Sequence, residues 1–371
     1  MKVNQLQFLC SVCNNVHMLH NEEKKGVDMI EIRKVDYKAP ETSSLFLGAD
    51  IGGTNSNFGL FEQKNNSIHL IASYHIKSKT ITDFSAAVQQ LLQQITTDYS
   101  ATITHMCIAA AGIITDNRTR CKPTNLSITI DTNQIQQQTS LIQVLLVNDF
   151  EVIGYGLEYL DPKRIVTVNK GKDWPHANKV IIGAGTGLGT CIMRYYESEQ
   201  KYHPVATEAG HMDFAAHTQQ ELDITNYITS SEQRTGPISY EDILSGSGIG
   251  RMYAYFSNMI GNAQVVKQLY PDAIFNARNA NQQAFSTFSL YTRVYGRYAK
   301  NSALASLALA GVYIAGGIAA KNIDMFKQPE FMQEFTACPK LKDFLMNIPI
   351  HVITDYNVSL WGSAHYMINH W

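Results

Sequence analysis

The chain has 371 residues, 45% of them hydrophobic and 17% charged. That length suggests two domains and excludes a mini-protein held by staples, and the composition excludes a disordered chain. Lys and Arg total 30 against 32 Asp and Glu, a net charge of −2, so nothing favours nucleic acid or an anionic membrane surface as a partner.

Residues 1–43 are polar and irregular, with mixed charges at Glu22-Glu23-Lys24-Lys25 and a proline at Ala39-Pro40-Glu41. They read as a weakly ordered extension, within which Met29 is an alternative start. The apolar patch Phe8-Leu9-Cys10-Ser11-Val12-Cys13 is too short for a signal sequence. Cys10, Cys13, His17 and His20 are metal-capable, but their central spacing is far below that of a zinc finger, and an incidental cluster is the simpler reading. The six cysteines are too scattered for a disulfide framework. Cys107, Cys121, Cys191 and Cys338 sit in or beside apolar stretches, as free cysteines of a cytoplasmic protein do.

Regular structure is expected from residue 45. Leu45-Phe46-Leu47-Gly48-Ala49-Asp50 is an apolar strand ending in an acid, Gly52-Gly53 turns the chain, and Phe58-Gly59-Leu60-Phe61 returns it. A third strand is expected over residues 68–76. Asp83 can cap a helix running to about Thr97, with Ala86, Val88, Leu91, Leu92 and Ile95 as its apolar stripe. Residues 106–111 and 144–147 read as buried strands, the second ending at Asn148-Asp149. The glutamine-rich stretches 89–94 and 134–138 read as solvated helix faces.

The second half begins the same way. Val180-Ile181-Ile182-Gly183-Ala184-Gly185 is an apolar strand, followed by Thr186-Gly187-Leu188-Gly189 and an outgoing strand to Met193. Helices are expected from about Gln219, Tyr240 and Phe285, then a strand ending at Gly316-Gly317 and a last strand over residues 348–353. Residues 303–320 carry no charge, at the lower limit for a membrane span, but Gly311, Gly316 and Gly317 interrupt them. A buried helix followed by a buried strand explains them better.

Strand, glycine turn, strand therefore occurs twice, about 135 residues apart. Such turns expose backbone N–H groups and let a phosphate approach closely. Neither familiar phosphate loop fits. The Gly-Lys pair at Gly171-Lys172 is followed by Asp173 rather than Ser or Thr, and a dinucleotide fingerprint would need glycine at Leu188 or Thr190.

Two such turns facing each other resemble the superfamily of sugar kinases, actin and the Hsp70 ATPase. More closely, six segments occur in the order found in bacterial ATP-dependent glucokinases. They are Asp50-Ile51-Gly52-Gly53-Thr54-Asn55, Asn148-Asp149-Phe150, Gly183-Ala184-Gly185-Thr186-Gly187-Leu188-Gly189, Glu208-Ala209-Gly210-His211, Leu244-Ser245-Gly246 and Ala315-Gly316-Gly317-Ile318. The resemblance runs from about residue 45 to the C-terminus.

It implies an α/β, two-domain, actin-like (ribonuclease H-like) sugar kinase fold with duplicated strand–Gly-turn–strand units. The implied division is an extension over 1–43, a small domain over 44–160 with the C-terminal helix of 354–371 packing back on it, and a large domain over 161–353. It also implies a glucokinase, transferring the γ-phosphoryl of Mg-ATP to the 6-hydroxyl of glucose, cytoplasmic and homodimeric. Gly52, Gly53, Thr54, Asn55, Gly185, Thr186 and Gly187 would contact the phosphates, and Gly316 and Gly317 the adenosine. Asp50 would hold Mg²⁺ through water. Asn125, Asn148, Glu208, His211 and Glu241 match the sugar-binding positions, where fixed polar groups must meet the ring hydroxyls. Asp149 would be the base that takes the hydroxyl proton; it can also cap the helix beginning near Phe150.

Two departures stand out. The related repressor/kinase group with a structural zinc has a cysteine cluster after its histidine, whereas Met212-Asp213-Phe214 follows His211 here. Ala209 stands where glycine is common. The rival readings are a non-catalytic sugar sensor of the same fold, a kinase for another hexose, and an ATPase without sugar, which would leave Glu208, His211 and Glu241 unexplained.

Overall fold

The computed structural model describes residues 31–34, 44–65, 67–258 and 270–371. The first half runs through strands β1 (Glu31–Lys34), β2 (Ser44–Ile51), β3 (Asn55–Lys64) and β4 (Ser67–Lys77), helix α1 (Phe84–Tyr99) and strand β5 (His105–Ala110). Three two-residue strands, β6 (Ile114–Thr115), β7 (Arg120–Cys121) and β8 (Ile130–Asp131), then lead to α2 (Thr132–Gln138), β9 (Gln143–Asn148) and α3 (Asp149–Leu157). The second half has β10 (Ile165–Asn169), β11 (Lys179–Ala184), β12 (Leu188–Tyr196) and β13 (Lys201–Thr207). Helices α4 (Gln219–Ser231), α5 (Tyr240–Ile243), α6 (Gly246–Phe256), α7 (Pro271–Asn276) and α8 (Gln282–Ser306) follow. The chain closes with β14 (Val312–Ala315), α9 (Gly317–Lys321), α10 (Pro329–Phe335), α11 (Lys342–Met346), β15 (Ile350–Ile353) and α12 (Val358–Asn369).

The strands form two large sheets, ordered β1-β4-β3-β2-β5-β9 and β10-β15-β14-β11-β12-β13. Each contains the same five-stranded unit, β4-β3-β2-β5-β9 in one and β13-β12-β11-β14-β15 in the other. In both, an antiparallel hairpin (β2/β3, β11/β12) continues into two parallel strands. The duplication seen in the two glycine turns thus extends to whole units, and each unit ends in a helix, α3 after β9 and α12 after β15. Both hairpins start on strands buried on two faces, which is why Phe46, Leu47, Ala49 and Ile51 in β2 and Val180, Ile181 and Ile182 in β11 form near-continuous apolar runs.

Helices α3 and α12 lie between the sheets. Val152, Leu360, Ala364 and Met367 pack with Phe46, Cys107 and Val147 of the first sheet. Ile153, Leu157 and Val358 pack with Ile181, Cys191, Met193 and Ile353 of the second. The two helices cross without side chains between them: a Cβ on Gly362 would run into the Val152 carbonyl, and one on Gly156 into the Val358 carbonyl. The largest apolar cluster lies behind the second sheet, around α8.

Local differences from the sequence reading have plain causes. Residues 31–34, expected to be irregular, form an edge strand antiparallel to β4, from Glu31↔His75 to Lys34↔Ala72, and so pair backbone groups that β4 would otherwise expose. Helix α8 starts at Gln282 rather than near Phe285 because Asn281 caps it, accepting from the Ala284 N–H at 2.8 Å. The helix expected from Tyr240 stops after Ile243, and Ser245 caps a new one through the Gly248 N–H. Residues 303–320 split into the end of α8 and β14 as expected, and no helix among the described residues is long and apolar enough to cross a membrane. Cys107, Cys121, Cys191 and Cys338 are free thiols; the Cys10/Cys13/His17/His20 cluster lies outside the described residues.

Replacing Gly362 by Ala should destabilise the protein by about 1–3 kcal/mol, the usual cost of forcing a methyl into a closed contact. Urea unfolding of Gly362→Ala beside the parent checks this; an unchanged midpoint would show that the crossing can relax.

Candidate active site

A cleft opens where the two units face each other, lined from both sides. The first unit contributes Asp50 near the end of β2, Gly52 and Gly53 just after it, Asn125 from the segment between β7 and β8, and Asn148 and Asp149 at the β9–α3 junction. The second contributes Gly185, Thr186 and Gly187 between β11 and β12, then Glu208, His211 and Glu241, and Gly316 and Gly317 after β14. Two expected residues stand outside this lining. Thr54 reaches across to Thr186, hydroxyl to hydroxyl at 3.1 Å, and the Asn55 side chain accepts from Lys77 Nζ at 3.1 Å.

The first turn is closed by Gly52 N–H donating to the Asn55 carbonyl at 3.0 Å and is held from behind by the Ser78 hydroxyl, which donates to the Gly52 carbonyl at 2.6 Å. A Cβ on Gly53 would lie 2.8 Å from Asn125 Cβ and 3.1 Å from Thr186 Cγ2. The two turns are therefore in close apposition. In the second turn Gly185 N–H donates to the Gly187 carbonyl at 2.8 Å, and Gly246 N–H to the Gly185 carbonyl at 2.9 Å. Glu241 has a double position, since its Oε2 accepts from the Leu188 N–H at 2.8 Å while the residue lines the cleft. Gly316 has φ +92°, and a Cβ there would meet the Ala184 carbonyl, so only glycine lets β14 turn into α9 this close to β11.

Asp149 is the first residue of α3. Asn148 caps that helix, its Oδ1 accepting from the Phe150 and Glu151 N–H groups at 2.9 and 3.1 Å while its Nδ2 donates to the Gly112 carbonyl at 3.3 Å. One amide hydrogen of Asn148 remains for a ligand. Asp149 Oδ1 also accepts from the Phe150 N–H at 3.0 Å, so capping and cleft exposure coexist. The Phe150 ring lies over β11 and β12 where both are bare: a Cβ on Gly183 would sit 2.9 Å from it, and one on Gly189 would overlap it. Phe150 thereby ties the Asp149 backbone to the strands that carry the second turn.

The cleft gathers carboxylates. Burial, with Asp50 and Glu208 nearby, pushes the Asp149 carboxyl up to about 7, against the Phe150 N–H bond that favours its charged form. Burial also raises Asp50, opposed by the Ser359 hydroxyl, which donates to Oδ2 at 2.6 Å. Burial raises Glu208 too, with His211 opposing and Glu241 adding to the rise. His211 Nε2 stands 3.7 Å from Glu208 Oε2, and both side chains are exposed. Ser359, Gly112 and Tyr356 line the cleft without having been singled out in the sequence, and Phe150, quoted there only as the end of a motif, lines it too. The adjacency of Phe150 to Asp149, with bare glycines at 183 and 189, was the one available signal. Ser359 is 309 residues from Asp50, and no spacing links them. Among the described residues no group of three or more His, Cys, Asp or Glu could hold a metal by itself.

Two like α/β units around a cleft, with a glycine turn from each and carboxylates between, define a protein of the actin-like ATPase class to which the sugar kinases belong. A family model described as glucokinase matches residues 47–370. A glucokinase from Nostoc sp. (strain PCC 7120) is 31% identical over 344 residues, which covers 86% of this chain and 98% of that protein. Among solved structures, a glucokinase from Balamuthia mandrillaris in complex with glucose superposes with TM-score 0.74 at 19% identity, covering 88% of this chain and 94% of that one. A ROK family glucokinase from Streptomyces griseus in complex with glucose and AMPPNP gives 0.61 at 17%, covering 88% and 99%. These structural likenesses show the fold. The family match decides the rest: the chain belongs to the glucokinase family.

Because Phe150 fills the space over Gly189, Gly189→Ala should displace α3 and Asp149 together. With Asp149 as the base proposed below, a shift of about 1 Å there can cost about 10²-fold in rate. Steady-state kinetics should therefore show kcat lowered by that order in a variant that still folds by circular dichroism; a normal kcat would show that Phe150 does not position Asp149.

Proposed function

We propose that this chain is a glucokinase that transfers the γ-phosphoryl group of ATP to the 6-hydroxyl of glucose, with Asp149 as the base. The observation that carries the reading is the place of Asp149. It lines one cleft with the paired glycine turns on one hand and with Glu208, His211 and Glu241 on the other, so a sugar hydroxyl and a terminal phosphate could meet beside one carboxylate. Asn125, Asn148, Glu208, His211 and Glu241 orient the sugar through its hydroxyls. The first turn, Gly52, Gly53, Thr54 and Asn55, and the second, Gly185, Thr186 and Gly187, receive the phosphates; the N–H groups of Gly52 and Gly185 close the turns themselves, so other groups of the turns make the contacts, and Gly316 and Gly317 admit the adenosine.

In the reaction the 6-oxygen bonds to the γ-phosphorus, the bond from that phosphorus to the bridging oxygen breaks, the hydroxyl proton passes to Asp149 and ADP leaves. Asp50 suits Mg²⁺. It is a hard oxygen donor facing the cleft, poorly compensated by its single Ser359 bond, and such a site takes the ion through one carboxylate, waters and substrate phosphates. When bound, Mg²⁺ would neutralise phosphate charge as transfer proceeds. We assign a small domain to 44–160 with 354–371 and a large domain to 161–353; each large sheet's central strands fall within one of these, which supports closure of the cleft between them to exclude water. A cytoplasmic homodimer is the family expectation we carry with this reading.

ADP release from Mg-ATP, measured with and without glucose and across a panel of hexoses, tests the activity. Glucose-dependent release with formation of glucose 6-phosphate is expected; release that ignores every sugar would make the chain an ATPase, and sugar binding without release would make it a sensor. Asp149→Asn should keep the fold and lose about 10²–10⁴-fold in turnover. Because the working base is the ionised carboxylate and its pKa stands at about 7, kcat/KM should fall as pH drops below 7, about tenfold per unit once Asp149 is mostly protonated. A flat profile between pH 5 and 8, on the order of that window, would remove Asp149 from the role.

A further inference from the structure

Behind the sugar side of the cleft, two short segments run antiparallel and carry its polar groups at their ends. Phe214 N–H donates to the Ile238 carbonyl at 2.8 Å and Tyr240 N–H to the Met212 carbonyl at 2.9 Å. One segment continues from His211, and the other leads into Glu241. Helix α8 holds both from below. The Arg297 guanidinium, fully buried, donates from Nη1 to the Ala215 carbonyl at 3.2 Å. It also pairs in bidentate fashion with Glu221, at 2.8 and 2.9 Å, and with Glu334, at 3.2 Å on both oxygens. Glu221 Oε2 in turn accepts from the His217 N–H at 2.6 Å. One turn further along α8, Asn301 Nδ2 donates to the Tyr240 hydroxyl at 2.9 Å.

A buried ion network is a weak way to gain stability, since well-packed apolar groups often serve as well. What it supplies is direction. Four bonds to Glu221 and Glu334 fix the planar fork, which then holds the segment after His211 to α8 through the Ala215 carbonyl and, by way of Glu221, the His217 N–H; the Asn301–Tyr240 bond holds the residue before Glu241. We propose that Arg297 and Asn301 are positioning residues that set the spacing of His211 and Glu208 against Glu241, and through it the affinity for sugar. This rests on the sugar-binding reading of those three side chains.

The test is steady-state kinetics, varying glucose and ATP separately, for Arg297→Lys, Asn301→Ala, Tyr240→Phe and Glu241→Gln. Tyr240→Phe and Asn301→Ala remove one hydrogen bond with little change of packing. Each is expected to raise KM for glucose about threefold or more while KM for ATP and kcat stay within about twofold. Arg297→Lys keeps the charge but loses the fork, and a rise of about tenfold is expected; if it does not fold, the other two decide. A merely structural network would lower Tm and leave KM for glucose unchanged in both, which would overturn the inference. Glu241→Gln separates the two readings. If it raises KM for glucose while the Tyr240 and Asn301 variants do not, only the positioning role fails; if it too leaves KM unchanged, the sugar-site reading fails with it.

Discussion

Backbone meets backbone where α3 crosses α12, and the rest of the cleft is set out from that crossing. Gly156 and Gly362 let the two helices approach until a methyl on either would strike a carbonyl of the other. Each helix closes one of the two like units, so their approach brings the units together with the helix N-termini at the cleft. Asp149 opens α3 there, and Ser359, near the start of α12, reaches Asp50 at 2.6 Å. Gly183 and Gly189 then admit Phe150 onto the strands beside the second turn. Four glycines, none of which need touch a ligand, thus set where Asp149 stands relative to both turns.

The electrostatics of the cleft follow from the same approach. Asp50, Asp149 and Glu208 are carboxylates within range of one another and partly withdrawn from water, and burial is the leading cause of the upward shift in all three. Such a cluster is poorly compensated by the protein alone, because the opposing interactions are one hydroxyl, one or two N–H groups and the exposed His211. A hard cation with phosphates, and a polyhydroxylated ring that can donate hydrogen bonds, would complement such a cluster, as the proposed reaction requires. The buried charges behind Glu208, His211 and Glu241 are the opposite case: Arg297 uses all its donors against Glu221, Glu334 and Ala215, and nothing is left over for a ligand.

Much of this was legible in the sequence because strands buried on two faces and glycine turns leave local marks. The two apolar runs ending at Asp50 and Gly185, the Asp83-capped helix and the strand ending at Asn148-Asp149 are each decided within about ten residues by burial and turn chemistry. The order of six short motifs then pointed to the cleft and the family. What was not legible depends on contacts between distant segments. Ser359 acquires meaning only when α12 docks beside Asp50. The pairing of residues 31–34 with β4 is a backbone ladder along the edge of a sheet, which no local pattern of four residues announces. Asn148, read as a sugar ligand, caps α3 through its Oδ1, a use that depends on the helix beginning at Asp149 and that composition does not announce. Thr54 and Asn55 fell outside the lining for a related reason, since the turn directs their side chains to Thr186 and Lys77.

The most direct test of the whole account is a crystal structure with glucose, Mg²⁺ and a non-hydrolysable ATP analogue. The 6-hydroxyl should lie within hydrogen-bond reach of Asp149, with the terminal phosphate between the two glycine turns and the ring against Glu208, His211 and Glu241. A sugar whose 6-hydroxyl points away from Asp149, or a terminal phosphate lodged outside the two turns, would contradict it.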